Sequence, residues 1–293
     1  MDWRSQVYRP ALVVRPDRVK KNFDRMQEKA AASGVVFRPH FKTHQSAFVG
    51  EWFKSRGLEQ ITVSSVRMAL YFAGHGWKDI TIAFPVNLRE IEDIRDLAGR
   101  VRLNLLLLSK ETAEELNGKL SEKVGIWIKV DVGYGRTGIP WNEEEKIVDL
   151  ARTVEALPKL EFRGLLTHAG QTYHMHDRQE RAELFVQITE GLNRLRERVL
   201  EAGITNCLLS VGDTPGTTAA ADFRGVDEVR PGNFVYFDAQ QWHLGSCEEG
   251  EIAAAVDDYL VPLRVHGNYR AGYGGGNLVL FTGTEVPLLG IEV

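Results

Sequence analysis

Short apolar runs recur along the first two thirds of the chain, each bounded by glycine, proline or polar residues. Because the runs are continuously apolar, they are typical of strands that are buried on both faces of a sheet. The eight candidate strands are Ala11–Val14, Val35–Phe37, Ile61–Val63, Ile80–Phe84, Val101–Leu108, Val124–Val130, Phe162–Leu166 and Cys207–Val211.

Amphipathic helical patterns separate these runs. Residues 18–26 space their apolar positions by three and four, and residues 181–200 do so over five turns. A doubly wound sheet would also alternate strands with helices, but eight alternations in about 220 residues match the size of a barrel. The pattern therefore predicts an α/β fold of the (β/α)8 TIM type.

The pattern changes after Asp222, where no further long amphipathic helix is found. Three later segments, VRPGNFVYFDAQ, AAAVDDYLVPLRVHG and NLVLFTG, predict strands joined by glycine and asparagine turns. We therefore predict a barrel over residues 10–240. Residues 241–293 are predicted to begin a C-terminal β domain that is incomplete, which residues 1–9 could join.

The composition narrows the function. In 293 residues, 43% are hydrophobic and the net charge is -4, so a globular protein without strong attraction to nucleic acid or anionic membranes is expected. No run approaches the roughly 20 apolar residues that span a bilayer, and the N-terminus lacks the pattern of a signal peptide. The charge therefore favours a small, polar metabolite as partner. The two cysteines, Cys207 and Cys247, cannot build a disulfide framework or a cysteine-rich zinc site, which favours a reducing, cytoplasmic compartment.

In such a barrel the active site lies at the carboxyl ends of the strands. Four polar segments follow candidate strands there, at residues 38–44, 131–138, 167–174 and 210–218. Lys42 follows a strand and has Phe41 and two histidines nearby, so desolvation and cationic neighbours would lower its pKa. Such an amine can form a Schiff base with an aldehyde, although a surface lysine that ends a strand is the ordinary alternative.

Residues 212–218 are rich in small and hydroxyl side chains between a strand and a helical continuation. Backbone N–H groups there could approach a phosphate at a helix N-terminus, although an ordinary turn with a threonine cap is the alternative. A reactive lysine together with a phosphate site indicates a phosphorylated aldehyde, of which pyridoxal 5'-phosphate is the obvious candidate.

These segments, in order with residues 230–238, resemble the fold-type III pyridoxal-phosphate enzymes. Within them the chain is similar to the D-threonine aldolases and D-serine dehydratases, which share their barrel with alanine racemase. The resemblance runs from Pro10 almost to the end of the chain. Each motif alone is weak, and the ordered set is specific.

The resemblance implies roles for individual residues. Lys42 would form the Schiff base and act as the base at the substrate α-carbon, Arg136 would lie near the cofactor ring, and Tyr173 would reach the pyridine nitrogen. His40 and His168 would contact the cofactor. The residues implied around the phosphate are Gly212, Thr214, Gly232, Asn233 and Tyr236. Asp213 stands where a small residue is more usual, so we expect its side chain to point away from the phosphate.

Two further patterns have structural interpretations. Lys129 and Asp131 share one face of a strand, so an interior ion pair is a better interpretation than a second catalytic amine. Four histidines could suggest a metal site, namely His40, His44, His168 and His174. A lone histidine is more often a hydrogen-bonded structural group, so no metal ligand is assigned.

The end of the chain departs from the family pattern. Aldolases and dehydratases of this group carry a histidine and a nearby cysteine or aspartate in the C-terminal β domain, which bind a divalent metal such as Zn²⁺ or Mn²⁺. After Gly250 the chain has only His266 and no cysteine. We therefore expect that the ligands of this metal are not in the chain, because it is a shortened form or because it does not use the metal.

The resemblance implies a pyridoxal-phosphate-dependent lyase that acts on a small D- or β-hydroxy amino acid by aldol cleavage or dehydration, as a homodimer. An amino-acid racemase is one alternative, but it needs a second base that the sequence does not identify. A non-catalytic pyridoxal-phosphate-binding protein is another, although such proteins usually lack an appended β domain.

Overall fold

A computed structural model describes residues 11–257. The strands are β1 (Ala11–Val14), β2 (Val36–Phe37), β3 (Gln60–Val63), β4 (Asp79–Pro85), β5 (Arg102–Leu107), β6 (Val124–Asp131), β7 (Ile139–Pro140), β8 (Leu160–Leu166), β9 (Leu208–Val211), β10 (Glu228–Val229) and β11 (Ala254–Asp257). The helices are α1 (Pro16–Ala32), α2 (Ala47–Lys54), α3 (Val66–Gly74), α4 (Ile91–Ala98), α5 (Lys110–Lys119), α6 (Glu144–Ala156), α7 (Arg178–Glu201), α8 (Thr214–Ala219) and α9 (Ala239–His243). Short 3-10 helices cover Leu88–Glu90, Gly170–His174, Asn233–Val235 and Glu249–Glu251.

Eight parallel strands form the barrel, in the order β2, β3, β4, β5, β6, β8, β9 and β10, with β7 paired to the end of β6. The ring closes between β2 and β3 through a parallel bridge of His40 with Thr62, where the Phe41 N–H donates to the Thr62 carbonyl at 2.8 Å. The predicted (β/α)8 barrel is therefore confirmed, with a closure confined to its carboxyl end.

The prediction was wrong about which strands form the barrel. Ala11–Val14 is β1, which pairs antiparallel with β11 outside the barrel. The eighth barrel strand is β10, a two-residue strand whose second residue begins the VRPGNFVYFDAQ segment, which was not among the eight candidate barrel strands. The rest of that segment forms a 3-10 helix and the start of α9 instead of strands. The division near residue 240 stays a prediction, and most of the predicted C-terminal strands lie outside residues 11–257.

The two predicted amphipathic helices are confirmed as parts of α1 and α7. The buried side of α1 carries Val19, Phe23, Met26 and Ala30, at the spacing of one helical face. Asp177 caps α7 by accepting hydrogen bonds from the N–H groups of the first turn at 2.6 and 3.1 Å. The long helix therefore begins directly after the loop that follows β8.

The strands bury apolar side chains on both faces. Ile126 and Ile128 of β6 belong to the large core cluster that the helices cover. Trp127, between them, faces the other way and forms a separate cluster with Leu106 and Leu166 inside the barrel. At the amino end of the barrel the interior is polar, with buried arginine, glutamate, asparagine and serine side chains. This polar interior lies beneath the predicted site.

Candidate active site

The barrel-closing bridge positions Lys42. His40 pairs with Thr62, and Lys42 follows two residues later in a turn. The Lys42 N–H donates to the His40 Nδ1 at 3.3 Å, and the Gln45 side chain donates to the Lys42 carbonyl at 3.1 Å. The turn is thus held by the Lys42 backbone. Within residues 11–257 the Lys42 amine makes no hydrogen bond or ion pair, so it is available for chemistry.

The surroundings of Lys42 favour its neutral form. Solvent reaches the side chain at the mouth, but the nearby protein removes much of its hydration, and this desolvation is the main reason that its pKa is lowered. The positive charges of Arg136 and Arg230 lower the pKa further. The direction of this shift is the one that the sequence predicts, with arginines and not histidines as the cationic neighbours. A lowered pKa raises the share of neutral, nucleophilic amine.

Two neutral histidines border this lysine. Burial lowers the pKa of His168 to about 3 and that of His40 well below its ordinary value. His168 Nδ1 lies 2.7 Å from the Gly212 carbonyl. Because a carbonyl only accepts, Nδ1 carries the ring proton and Nε2 keeps a lone pair. His168 therefore links the loop after β8 to the glycine after β9.

The segments predicted to surround the phosphate are in contact. The Asn233 N–H donates to the Thr214 hydroxyl at 3.0 Å, which joins the loops after β9 and β10. A Cβ on Gly232 would lie 3.1 Å from both the Cβ and the carbonyl oxygen of His40, so a larger residue would push these two segments apart by a few tenths of an ångström. The Tyr236 hydroxyl is buried without a hydrogen-bond partner among the described residues, and burial raises its pKa.

Asp213 caps the helix that we predicted to face the phosphate. Its carboxyl accepts the Gly216 N–H at 2.5 Å and lies 2.8 Å from the Thr172 hydroxyl. One N–H group of the α8 N-terminus is therefore already used by the protein. Burial raises the pKa of Asp213 to about 6. The Asp213 side chain is hydrogen-bonded through Thr172 to the 3-10 helix after β8.

Tyr173 and Arg136 complete the predicted set. Tyr173 lies on that 3-10 helix, with its ring centroid 6.4 Å from that of His168, and burial is the main cause of its raised pKa. The Arg136 guanidinium lies 5.4 Å from the centre of the Tyr134 ring, which packs 5.9 Å from His168. All the predicted residues therefore stand on loops at the carboxyl ends of β2, β6, β8, β9 and β10.

The predicted ion pair of Lys129 with Asp131 is wrong. The Asp131 carboxylate instead accepts N–H groups of residues 133–135 and shapes the loop that carries Arg136. Lys129 is 5% exposed, donates to the Val130 carbonyl at 3.1 Å and has no carboxylate within 4.0 Å in the described part of the chain. Burial, followed by Arg230 and Arg136, lowers its pKa to about 7.

Sequence reasoning gave Arg230 no role, although it begins one of the quoted motifs. The side chain is 4% exposed and donates to the Ser210 hydroxyl at 2.6 Å and to the Thr167 carbonyl at 2.5 Å. Burial lowers its pKa to about 10, so the guanidinium stays charged at neutral pH. Its position next to the two-residue strand β10 was the available signal, and that strand was not recognised.

His44 accepts the Ser46 N–H at 3.1 Å and packs 4.4 Å from the Phe41 ring, as expected of a structural histidine. Across residues 11–257 no three histidine, cysteine or acidic side chains are grouped as a metal site. The segment that includes His266 lies outside the described residues.

We expect the variant Arg136→Met to shift cofactor capture toward higher pH. Removing this positive charge raises the pKa of Lys42, so less neutral amine is present at pH 7 and capture slows several-fold. The measurement is the growth of visible absorbance after mixing with pyridoxal phosphate between pH 6 and 9. Arg100→Met, at the opposite end of the barrel, is the control. An unchanged pH midpoint for the Arg136 variant would contradict the electrostatic role.

Comparison with known proteins agrees with this arrangement. The family model of the alanine racemase N-terminal domain matches residues 14–240. D-threo-3-hydroxyaspartate dehydratase from Delftia sp. is 30% identical over 84% of this chain and 66% of its own length. D-serine dehydratase from Dictyostelium discoideum is 26% identical over 84% of this chain and 67% of its length. The chain thus spans about two thirds of the length of these relatives.

A solved structure supports the same relationship. A variant of D-threo-3-hydroxyaspartate dehydratase in the metal-free form superimposes with a TM-score of 0.81 at 30% identity, covering 85% of this chain and 67% of that one. The family match extends over most of the chain and includes every loop of the candidate site. The chain therefore belongs to the family of the alanine racemase N-terminal domain, in agreement with the predicted fold-type III resemblance.

Proposed function

We propose that this protein is a pyridoxal-phosphate-dependent lyase that removes water from a small β-hydroxy D-amino acid. The observation that carries the proposal is the Lys42 amine at the barrel mouth, which has a lowered pKa and no ionic partner among the described residues. The neutral side chains of His40 and His168 and the positive charges of Arg136 and Arg230 lie near it. Dehydration is the first reaction to test because the two relatives described above are dehydratases, although similar proteins at 24–26% identity are named 3-hydroxy-D-aspartate aldolase and D-threonine aldolase.

The residues at the mouth fit pyridoxal phosphate. Lys42 offers an amine for the aldehyde, and Tyr173 offers a phenol that burial keeps protonated. The Tyr236 hydroxyl, buried without a partner in the described residues, has the unused donor that a phosphate oxygen would accept. Gly212, Thr214, Gly232 and Asn233 would supply the rest of the phosphate site.

When bound, pyridoxal phosphate supplies an aldehyde and a ring that withdraws electrons from the substrate α-carbon. The neutral Lys42 amine would hold the cofactor through its aldehyde, with loss of water, and would be free to accept the α-proton once the substrate amino group has displaced it. Arg136 would hold the substrate carboxylate or the ring oxygen of the cofactor with its fixed positive charge. Tyr173 would hold the pyridine nitrogen, and His40 and His168, both neutral, would line the cofactor without adding charge.

The test is turnover of D-serine, D-threonine and D-threo-3-hydroxyaspartate, each with EDTA and with added Zn²⁺ or Mn²⁺. Loss of water followed by hydrolysis gives a 2-oxo acid and ammonia, which is the expected result. Aldehyde together with glycine from D-threonine would indicate aldol cleavage, and the L-enantiomer without oxo acid would indicate a racemase. Protein that gains no visible absorbance with added cofactor would refute the proposal. No residue group within 11–257 fits a divalent metal, so no step is assigned to one.

We also propose a cytoplasmic homodimer. The two thiols, of Cys207 and Cys247, are free and buried, which suits a reducing compartment. In residues 11–257 no helix has both the length and the apolar character to cross a bilayer. Light scattering of the purified protein tests the dimer, and a mass near 32.9 kDa would exclude it.

A further inference from the structure

Asp213 connects two parts of the candidate site. It precedes α8, and one of its carboxyl oxygens lies 2.5 Å from the Gly216 nitrogen and 2.8 Å from the Thr172 hydroxyl. Thr172 belongs to the 3-10 helix that also carries Tyr173, and Thr214 begins α8. The side chain is 5% exposed, so these contacts are protected from water.

The Thr172 hydroxyl lies near two hydrogen-bond acceptors. Its hydroxyl lies 2.9 Å from the Ala169 carbonyl and 2.8 Å from the Asp213 carboxyl, and it has one hydrogen for two acceptors. If Asp213 carries a proton, it can donate to the Thr172 oxygen while Thr172 donates to Ala169. The Ala169 carbonyl also accepts the Thr172 N–H at 3.2 Å, so when Asp213 is ionised Thr172 can donate to the carboxylate and Ala169 still has a donor. The hydrogen bond between Thr172 and Asp213 is therefore available to both protonation states of Asp213.

We propose that Asp213 is a positioning residue, whose carboxyl group ties the 3-10 helix carrying Tyr173 to the start of α8 and so orients the Tyr173 phenol and the Thr214 hydroxyl around the cofactor. This inference rests on the proposed function. In this arrangement Asp213 links Tyr173, implied for the pyridine nitrogen, to Thr214, implied for the phosphate.

The charges that face Asp213 come from three other elements. Arg230 after β10 and Arg181 on α7 favour the carboxylate, while burial favours the neutral acid and is the larger influence. Tyr173 on the 3-10 helix has its own pKa raised by the Asp213 charge. The pKa of Asp213 is about 6, above its ordinary value of 3.8. Protonation therefore favours the folded state, and this stabilisation is lost as pH rises through about 6.

Three variants test the link. Asp213→Asn keeps an acceptor for Gly216 and Thr172 but cannot titrate, Asp213→Ala removes both contacts, and Thr172→Val removes the same bond from the other side. We measure the dissociation constant of pyridoxal phosphate at a temperature where every variant is folded. The alanine and valine variants are expected to bind about tenfold or more weakly, and the asparagine variant to bind within about threefold of the wild type.

The double variant Asp213→Ala/Thr172→Val should bind pyridoxal phosphate no more weakly than Asp213→Ala alone, because both changes break the same Asp213–Thr172 hydrogen bond. The melting temperature of the wild type relative to Asp213→Asn should fall between pH 4.5 and 7.5. Unchanged cofactor affinity in Asp213→Ala, with only a lower melting temperature, would show that Asp213 acts only as a helix cap. This outcome would overturn the inference and leave the proposed function standing. A wild type that binds no pyridoxal phosphate would overturn the inference together with the proposed function.

Discussion

Replacing Lys42 by alanine should abolish the visible absorbance that the protein gains with pyridoxal phosphate and lower turnover more than about a thousandfold. Lys42 is the amine that both captures the aldehyde and moves the α-proton in the proposed reaction. The loss should leave the fold intact, because its amine has no hydrogen bond or ion pair in residues 11–257. We expect the free energy of unfolding to change by less than about 0.5 kcal/mol.

The measurement that identifies the lysine is borohydride reduction of the coloured wild type, followed by peptide mass spectrometry. The pyridoxyl group should be found on Lys42. Lys129 is the competing candidate because its pKa is also low, at about 7, but it is 5% exposed and lies inside the barrel. A label on Lys129, or colour that survives Lys42→Ala, would contradict the assignment. Lys119→Ala, an exposed lysine in α5, serves as the matched control and should behave as the wild type.

Hydrophobic periodicity was sufficient to predict a barrel and four of the five loops of the candidate site, while the loop after β10 was identified only by the family resemblance. Seven of the eight candidate runs overlap barrel strands, because a strand buried on both faces gives a continuous apolar run. Residues 38–44 illustrate the consequence for the site. Once β2 is located at Val36–Phe37, Lys42 must follow at the carboxyl end of the barrel, where the turn presents its amine to solvent.

The remaining features depend on which strands pair and on how deeply each side chain is buried. A local sequence pattern encodes neither of these. β10 is two residues long and contains Glu228, so no apolar run marks it, and its identity follows only from its neighbours β2 and β9. The period-two rule correctly placed Lys129 and Asp131 on one face of β6. It could not show that backbone N–H groups of the following loop bind the Asp131 carboxylate, and that Lys129 has no ionic partner in residues 11–257.

The second large effect concerns the polar interior beneath the site. Arg38 contacts the Asp79 carboxylate at 2.6 Å and the Glu228 carboxylate at 2.5 Å, and all but a small part of the Arg38 and Glu228 side chains is buried. Burial opposes the Arg38 charge, but the two carboxylates together raise its pKa. Ser210 donates to Glu228 at 2.7 Å and accepts from Arg230, so the network continues to the residue that influences Lys42.

Arg38→Met is therefore expected to destabilise the protein by about 3–5 kcal/mol, because it removes the hydrogen-bonded arginine of the buried Glu228 carboxylate and leaves Arg230 at 3.9 Å as a weaker partner. Urea unfolding measures the change, and Arg100→Met, which breaks an exposed pair with Asp96, should cost less than about 1 kcal/mol. Adding Glu228→Gln to Arg38→Met should recover part of the loss, since the Glu228 charge is then removed while an acceptor for Ser210 remains. If the double variant is no more stable than Arg38→Met, the loss comes from altered packing of the arginine side chain, and the buried Glu228 charge is not its cause.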